Sequence, residues 1–81
     1  MPDPIYLLTL SCPNQPGIVA AVTTRLFDYR GNILEAHQFD DPETGKFFTR
    51  IVFSLPETDT FSALQDNFAP IAAKYAMDWT M

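Results

Sequence analysis

Apolar side chains recur along this chain at two different spacings, and each change of spacing marks an element boundary. Ile5 to Ser11 is a run of β-branched, aromatic and leucine residues between Pro4 and Pro13, which predicts a first strand with Leu8, Leu10 and Cys12 on one face. After Pro16-Gly17 the residues Ile18, Val19, Val22, Leu26 and Tyr29 recur at helical spacing, which predicts a helix of about four turns. Pro16 suits its first turn, and Gly31-Asn32 supplies residues that tolerate a left-handed C-terminal cap.

Ile33 to Asp40 alternates apolar and polar side chains, Asp41-Pro42-Glu43-Thr44-Gly45 carries turn chemistry, and Lys46 to Ser54 is again rich in strand formers. These predict a hairpin. Glu57 to Thr60 offers N-cap oxygens, and Phe61, Leu64, Phe68, Ile71, Ala72 and Tyr75 then repeat every three or four residues as a second helix. Pro70 lies inside that repeat, where a missing donor and a steric clash predict a kink or break near Ala69. In the tail, Met77, Trp79 and Met81 share one face, as in a last strand.

The predicted order is strand, helix, strand, strand, helix, strand. It defines an α+β, ferredoxin-like βαββαβ sandwich, a four-stranded antiparallel sheet with two helices on one face. Phe47, Thr49, Ile51 and Phe53 then point toward the helices, which leaves Phe48, Arg50 and Val52 on the uncovered face. Two readings of that face are open: a surface for oligomerisation or for docking to another domain, or a few tolerated surface apolars. No repeat, linker or low-complexity segment interrupts the order, so residues 1–81 read as one domain.

Composition narrows the picture. A chain of 81 residues buries only about 60% of its unfolded surface, so a partner is expected to supply part of its burial. At 47% apolar and 19% charged residues it is globular in character. The net charge of −5, with no Lys/Arg cluster, argues against nucleic acid as a partner. No apolar stretch approaches the roughly 20 residues that span a bilayer, so no membrane is implied. Met1-Pro2-Asp3-Pro4 lacks the regions of a signal peptide, so a cytoplasmic location is expected; a single cysteine agrees with a reducing compartment.

Candidate chemistry is sparse. One histidine, one cysteine and scattered acids do not make a metal site, so none is expected. His37 is the only base available to Cys12 or to a serine nucleophile; its place on a strand favours a solvated or structural role, and Cys12 reads as a small core residue. The acids Asp40, Asp41 and Glu43 at the hairpin tip read as a solvated turn rather than a general-acid pair. No catalytic residue is assigned. The loop Asn14-Gln15-Pro16-Gly17, leading into Ile18, is more informative, because it brings free backbone N–H groups and a positive helix end to one point that can hold a carboxylate. Asn14 suits two roles, capping the helix or contacting an amino group, and Gly17 allows close approach of a ligand or of backbone.

The segment Leu8-Thr9-Leu10-Ser11-Cys12-Pro13-Asn14-Gln15-Pro16-Gly17-Ile18-Val19-Ala20 resembles the opening of ACT domains, the amino-acid-sensing modules of metabolic enzymes. Three further segments narrow the likeness to the N-terminal domain of formyltetrahydrofolate deformylases: Gln38-Phe39-Asp40-Asp41 with Thr44-Gly45-Lys46-Phe47-Phe48-Thr49-Arg50, then Phe68-Ala69-Pro70-Ile71-Ala72, then Met77-Asp78-Trp79. Two positions depart from that family, Asn14 where Asp is usual and Ala76 where Gly is usual. The resemblance implies a parent polypeptide that hydrolyses 10-formyltetrahydrofolate to formate and tetrahydrofolate for purine synthesis and one-carbon balance. Its formyltransferase-like catalytic domain, with an active site of Asn, His and Asp, would follow residue 81 as a C-terminal partner. For this domain it implies no cofactor, a homo-oligomer through ACT domains, and a small amino acid effector held beside Asn14, Gln15, Pro16, Gly17 and Ile18, with a partner subunit's second strand completing the pocket. Glycine and methionine are sensible effectors, both being close to one-carbon flow. Two other readings stay open: a stand-alone or tandem ACT protein of the glycine-cleavage repressor type that acts by protein interaction, and the ACT domain of a phosphoserine phosphatase or another amino-acid enzyme, against which Phe47-Phe48-Thr49-Arg50 argues.

Overall fold

The computed structural model describes residues 3–56 and 59–81. Six elements follow in the predicted order: β1 (Ile5–Pro13), α1 (Ile18–Asp28), β2 (Asn32–Asp41), β3 (Lys46–Ser54), α2 (Asp59–Lys74) and β4 (Asp78–Thr80). The N-cap expected from Glu57 and Thr58 falls outside the described residues. The four strands form one antiparallel sheet in the order β2-β3-β1-β4. Each βαβ crossover skips one position, so β1 and β3 become the central pair.

That central pair sets the core. β1 and β3 are in register from Ile5 opposite Ser54 to Pro13 opposite Lys46, and their alternate side chains point to one face. On that face Leu8, Leu10 and Cys12 of β1 and Phe47, Ile51 and Phe53 of β3 are buried against Ile18, Val22 and Leu26 of α1 and Leu64, Phe68 and Ala72 of α2. Thr49 lies among them, and its hydroxyl donates to the His37 carbonyl at 3.0 Å, which removes the cost of burying it. Side chains as fully enclosed as Phe53, Phe68 and Leu8 each contribute about 1.5–3 kcal/mol through burial. Tyr6 stacks on Phe61 at 4.0 Å, and Trp79 of β4 meets Phe68 at 4.8 Å, so the rings close both flanks.

Three local expectations are corrected. Pro16 lies in the turn ahead of α1, which is capped by Gly17. The left-handed residue after α1 is Arg30 at φ 61°, rather than Gly31 or Asn32; Asn32 already belongs to β2. Gly31 is needed for another reason: its N–H donates to the Leu26 carbonyl at 2.8 Å, and a Cβ there would stand 2.8 Å from that oxygen. Arg30 N–H to Phe27 O completes a Schellman closure. Third, α2 runs unbroken through Pro70. Pro70 and Asp66 are both exposed, so the carbonyl freed by the missing donor is solvated, while Leu64, Phe68 and Ala72 hold the opposite side of the helix on the core.

The end of α2 repeats the closure. Ala76 takes φ 54°, with Met77 N–H to Ala72 O at 2.8 Å and Ala76 N–H to Ala73 O at 3.3 Å. A Cβ in this region costs about 1–2 kcal/mol, partly offset in glycine by chain entropy of about 0.5–1 kcal/mol. Ala76→Gly is therefore expected to stabilise the fold by about 0.5–1 kcal/mol, read as a higher urea midpoint at unchanged slope; an unchanged or lower midpoint would contradict this reading of the turn.

Candidate functional site

One end of the molecule gathers the β1–α1 loop, the β2–β3 hairpin tip and the C-terminus of α2. The Asn14 N–H donates to Gly45 O at 2.8 Å, which ties the loop to the hairpin tip. The Gln15 amide donates both to Pro13 O and to Tyr75 O, each at 3.0 Å, and so joins the end of β1 to the end of α2. Gly17 follows at φ 88° and its carbonyl accepts the Ala21 N–H at 2.9 Å.

No side chain caps α1, and its first turn holds no acid. The Asn14 side chain therefore does not fill the capping role open to it; it is exposed and makes no hydrogen bond among the described residues. The leading N–H groups of the helix keep their positive end unoccupied by protein, with Asn14 free alongside. Behind this end a cavity of about 40 Å³ opens between α1 and the helix-facing sides of β2 and β3. Ile18, Val19, Val22, Ile33, Phe47 and Ile51 supply its apolar walls, with Gln38 and Thr49 among its polar groups. The helix end thus offers backbone donors with a positive dipole, and the cavity beside α1 offers a small apolar recess.

The cavity exists because β2 is uncovered, a feature the alternation of Ile33 to Asp40 did not reveal. Residues 32–40 are exposed on both sides of the strand, and a bulge at Leu34 shifts its register against β3 between Ile33 and Glu35. β2 is thus an edge strand with free backbone groups and partly apolar faces, a surface open to pairing. The exposed apolar positions Ile33, Leu34, Val19 and Phe27 near α1 were the available signal.

The remaining candidates lie elsewhere. Phe48 and Arg50 are exposed and Val52 is half-buried on the open face of β3, as the alternation predicts, and away from the helix-side cavity. His37 lies on that same open face, opposite Arg50 and 3.6 Å from the Glu35 carboxylate. Cys12 lies on the helix face of the sheet, so the sheet itself separates thiol from imidazole. The Asp41 carboxylate accepts the Glu43 N–H at 3.1 Å and the Thr44 hydroxyl at 2.9 Å, which makes it a turn-closing residue. Among the described residues no three His, Cys, Asp or Glu come together as metal ligands, and no helix is long and apolar enough to cross a membrane.

A βαββαβ sandwich of this strand order belongs to a known class of module. A family profile, the ACT domain, matches residues 6–66, and the chain belongs to that family. It is 46% identical over 76 residues to the formyltetrahydrofolate deformylase of Bacillus subtilis (strain 168), covering 91% of this chain and 25% of that protein. With the deformylase of Corynebacterium sp. (strain P-1) it shares 40% over 77 residues, 94% of this chain and 27% of the other. The chain thus spans about a quarter of the length of these curated relatives. In three dimensions it superposes on the formyltetrahydrofolate deformylase of Burkholderia mallei ATCC 23344 with a TM-score of 0.88 and 40% identity, over 95% of this chain and 27% of that one. A glycine cleavage system transcriptional repressor, so described provisionally, superposes at 0.83 with only 12% identity, a likeness of fold alone.

Two outcomes test the loop and its neighbour. At Gly17 a Cβ would meet the Tyr75 hydroxyl at 3.3 Å and hold the left-handed φ at a cost, so Gly17→Ala is expected to destabilise the chain by about 1–2 kcal/mol in urea unfolding. Burial pushes the Cys12 thiol up from its ordinary value of 9.0 by desolvation. The fold therefore favours the neutral thiol: this contribution is complete below pH 9.0 and declines as the unfolded thiol ionises above it. The urea midpoint is expected to fall faster above that pH in the native sequence than in Cys12→Ala; parallel profiles would remove the desolvation.

Proposed function

We propose that this chain is the amino-acid-responsive, oligomer-forming regulatory domain of a formyltetrahydrofolate deformylase. The uncapped N-terminus of α1 beside an apolar cavity carries the reading for the site. The relatives at 40% and 46% identity support it for the parent protein. The parent would hydrolyse 10-formyltetrahydrofolate to formate and tetrahydrofolate, in the cytoplasm, on a formyltransferase-like domain following residue 81; this domain itself takes no part in the chemistry.

The effector's carboxylate sits on the N–H groups of Ile18 and the residues after it, with its ammonium near the free Asn14 side chain. Its remaining atoms meet Ile18 and the cavity, and the exposed β2 of a second subunit closes the site from outside. Gln15 and Gly17 hold the loop open in this shape through the end of α2. Glycine and methionine are the candidate effectors. Regulation follows if the effector binds one quaternary arrangement better than another. The Phe48, Arg50 and Val52 face serves as a contact surface in that assembly.

Titration of the chain with glycine, methionine and serine, followed by amide chemical shifts, is the direct test. Saturable shifts centred on residues 14–20 are expected for at least one of them at millimolar concentration or below. No response to any of the three in the assembled oligomer would reduce the loop to a structural turn. A reading frame encoding a formyltransferase-like region beyond Met81 supports the parent assignment, and a natural stop codon there overturns it.

A further inference from the structure

The outer edge of β1 is only partly covered. β1 pairs with β3 along all 9 of its residues, but with β4 only at Thr9, Leu10 and Ser11. Bonding direction alternates along an antiparallel strand, so one bond at each end of β1 fixes which residues face which neighbour. The Pro4 carbonyl accepts the Leu55 N–H at 3.2 Å and the Asn14 N–H donates to Gly45 O at 2.8 Å, both on the β3 side. Tyr6, Leu8, Leu10 and Cys12 therefore bond toward β3, whereas Ile5, Leu7, Thr9 and Ser11 bond toward β4. Thr9 and Ser11 have β4 opposite them; among the described residues nothing pairs with Ile5 and Leu7 on that side. Their backbone N–H and C=O groups, beside side chains 63% and 43% exposed, form a template for a further stretch of strand.

β4 runs directly toward this stretch of edge. It passes from Asp78 opposite Ser11 to Thr80 opposite Thr9, so Met81 falls opposite Leu8, and a straight continuation sets position 82 opposite Leu7 and position 84 opposite Ile5. Met77, Trp79 and Met81 already pack against the core. The same alternation turns position 83 to the helix side, opposite Tyr6 and next to the stack of Tyr6 on Phe61. We propose that in the longer polypeptide β4 continues over positions 82–84 and completes the β1 edge before the chain leaves for the following domain. The inference rests on the parent assignment made above and adds where the two domains are joined. Positions 82 and 84 exchange N–H and C=O bonds with Leu7 and Ile5, which excludes proline from both, and position 83 carries an apolar side chain. The following domain is thereby attached at the Ile5 end of the sheet, about 25 Å along β1 from the effector loop that follows Pro13. A strand fixed by backbone pairing and by the core, rather than a free tether, makes the junction.

Amide hydrogen exchange tests this on three proteins: the natural polypeptide that continues past Met81, the same polypeptide with proline placed at position 82, and the chain ending at Met81. The Leu8 and Leu10 amides, bonded toward β3, report that each is folded. The Ile5 and Leu7 amides are expected to exchange about a hundredfold or more slower in the longer polypeptide than in the chain ending at Met81, and the proline variant to lose most of that protection. Fast exchange at Ile5 and Leu7 in the longer polypeptide overturns the proposal and leaves the parent assignment standing, whereas a natural stop codon after Met81 overturns both. Protection already present in the chain ending at Met81, or protection that survives the proline, also overturns it, because another strand then holds the edge.

Discussion

The antiparallel pairing of β1 with β3 is the constraint on which the rest of the molecule depends. Nine residue pairs hold the two strands in register, and a shift by one residue would turn Leu8, Leu10, Cys12, Phe47, Ile51 and Phe53 away from the helices. With the pair central, β2 and β4 can lie only at the edges, and α1 and α2 can close the core on only one side. The opposite face stays uncovered. The loop leaving β1, the β2 edge and the open face are the surfaces that the same pairing leaves over.

The site at the β1–α1 loop depends on three ties rather than on any single side chain. The Asn14 backbone reaches the hairpin tip, Gln15 bridges the ends of β1 and α2, and Gly17 takes a left-handed conformation under the Tyr75 hydroxyl. Together they hold the leading N–H groups of α1 open without a cap. The loop is therefore coupled to α2 and, through the Schellman turn at Ala76, to β4.

Chain periodicity made most of the architecture legible. The helix faces led by Ile18, Val22 and Leu26 and by Leu64, Phe68 and Ala72 are buried as their spacing implies, and β3 shows its alternation almost unbroken. Asn14 through Ile18 could be located as a helix-opening loop, because proline and glycine in that order carry a local conformational meaning. Whether Asn14 capped the helix could not be read there, since a cap is decided by where the side chain turns. Pro70 misled for the opposite reason: its local penalty is real, but solvent accepts the freed carbonyl and the packed opposite face keeps the helix whole.

By itself the sequence determined the order of the elements, the side chains each turns inward and the narrow family likeness, because period and turn chemistry act over a few residues. Tertiary structure alone decided that β2 is bare on both sides, that a cavity opens beneath α1, that Arg30 and Ala76 take the left-handed turns, and that His37 and Arg50 share a face with Asp78 across β1. Those outcomes depend on which neighbour covers a surface or crowds a carbonyl, and neighbours distant in sequence are set by the sheet order rather than by any local pattern.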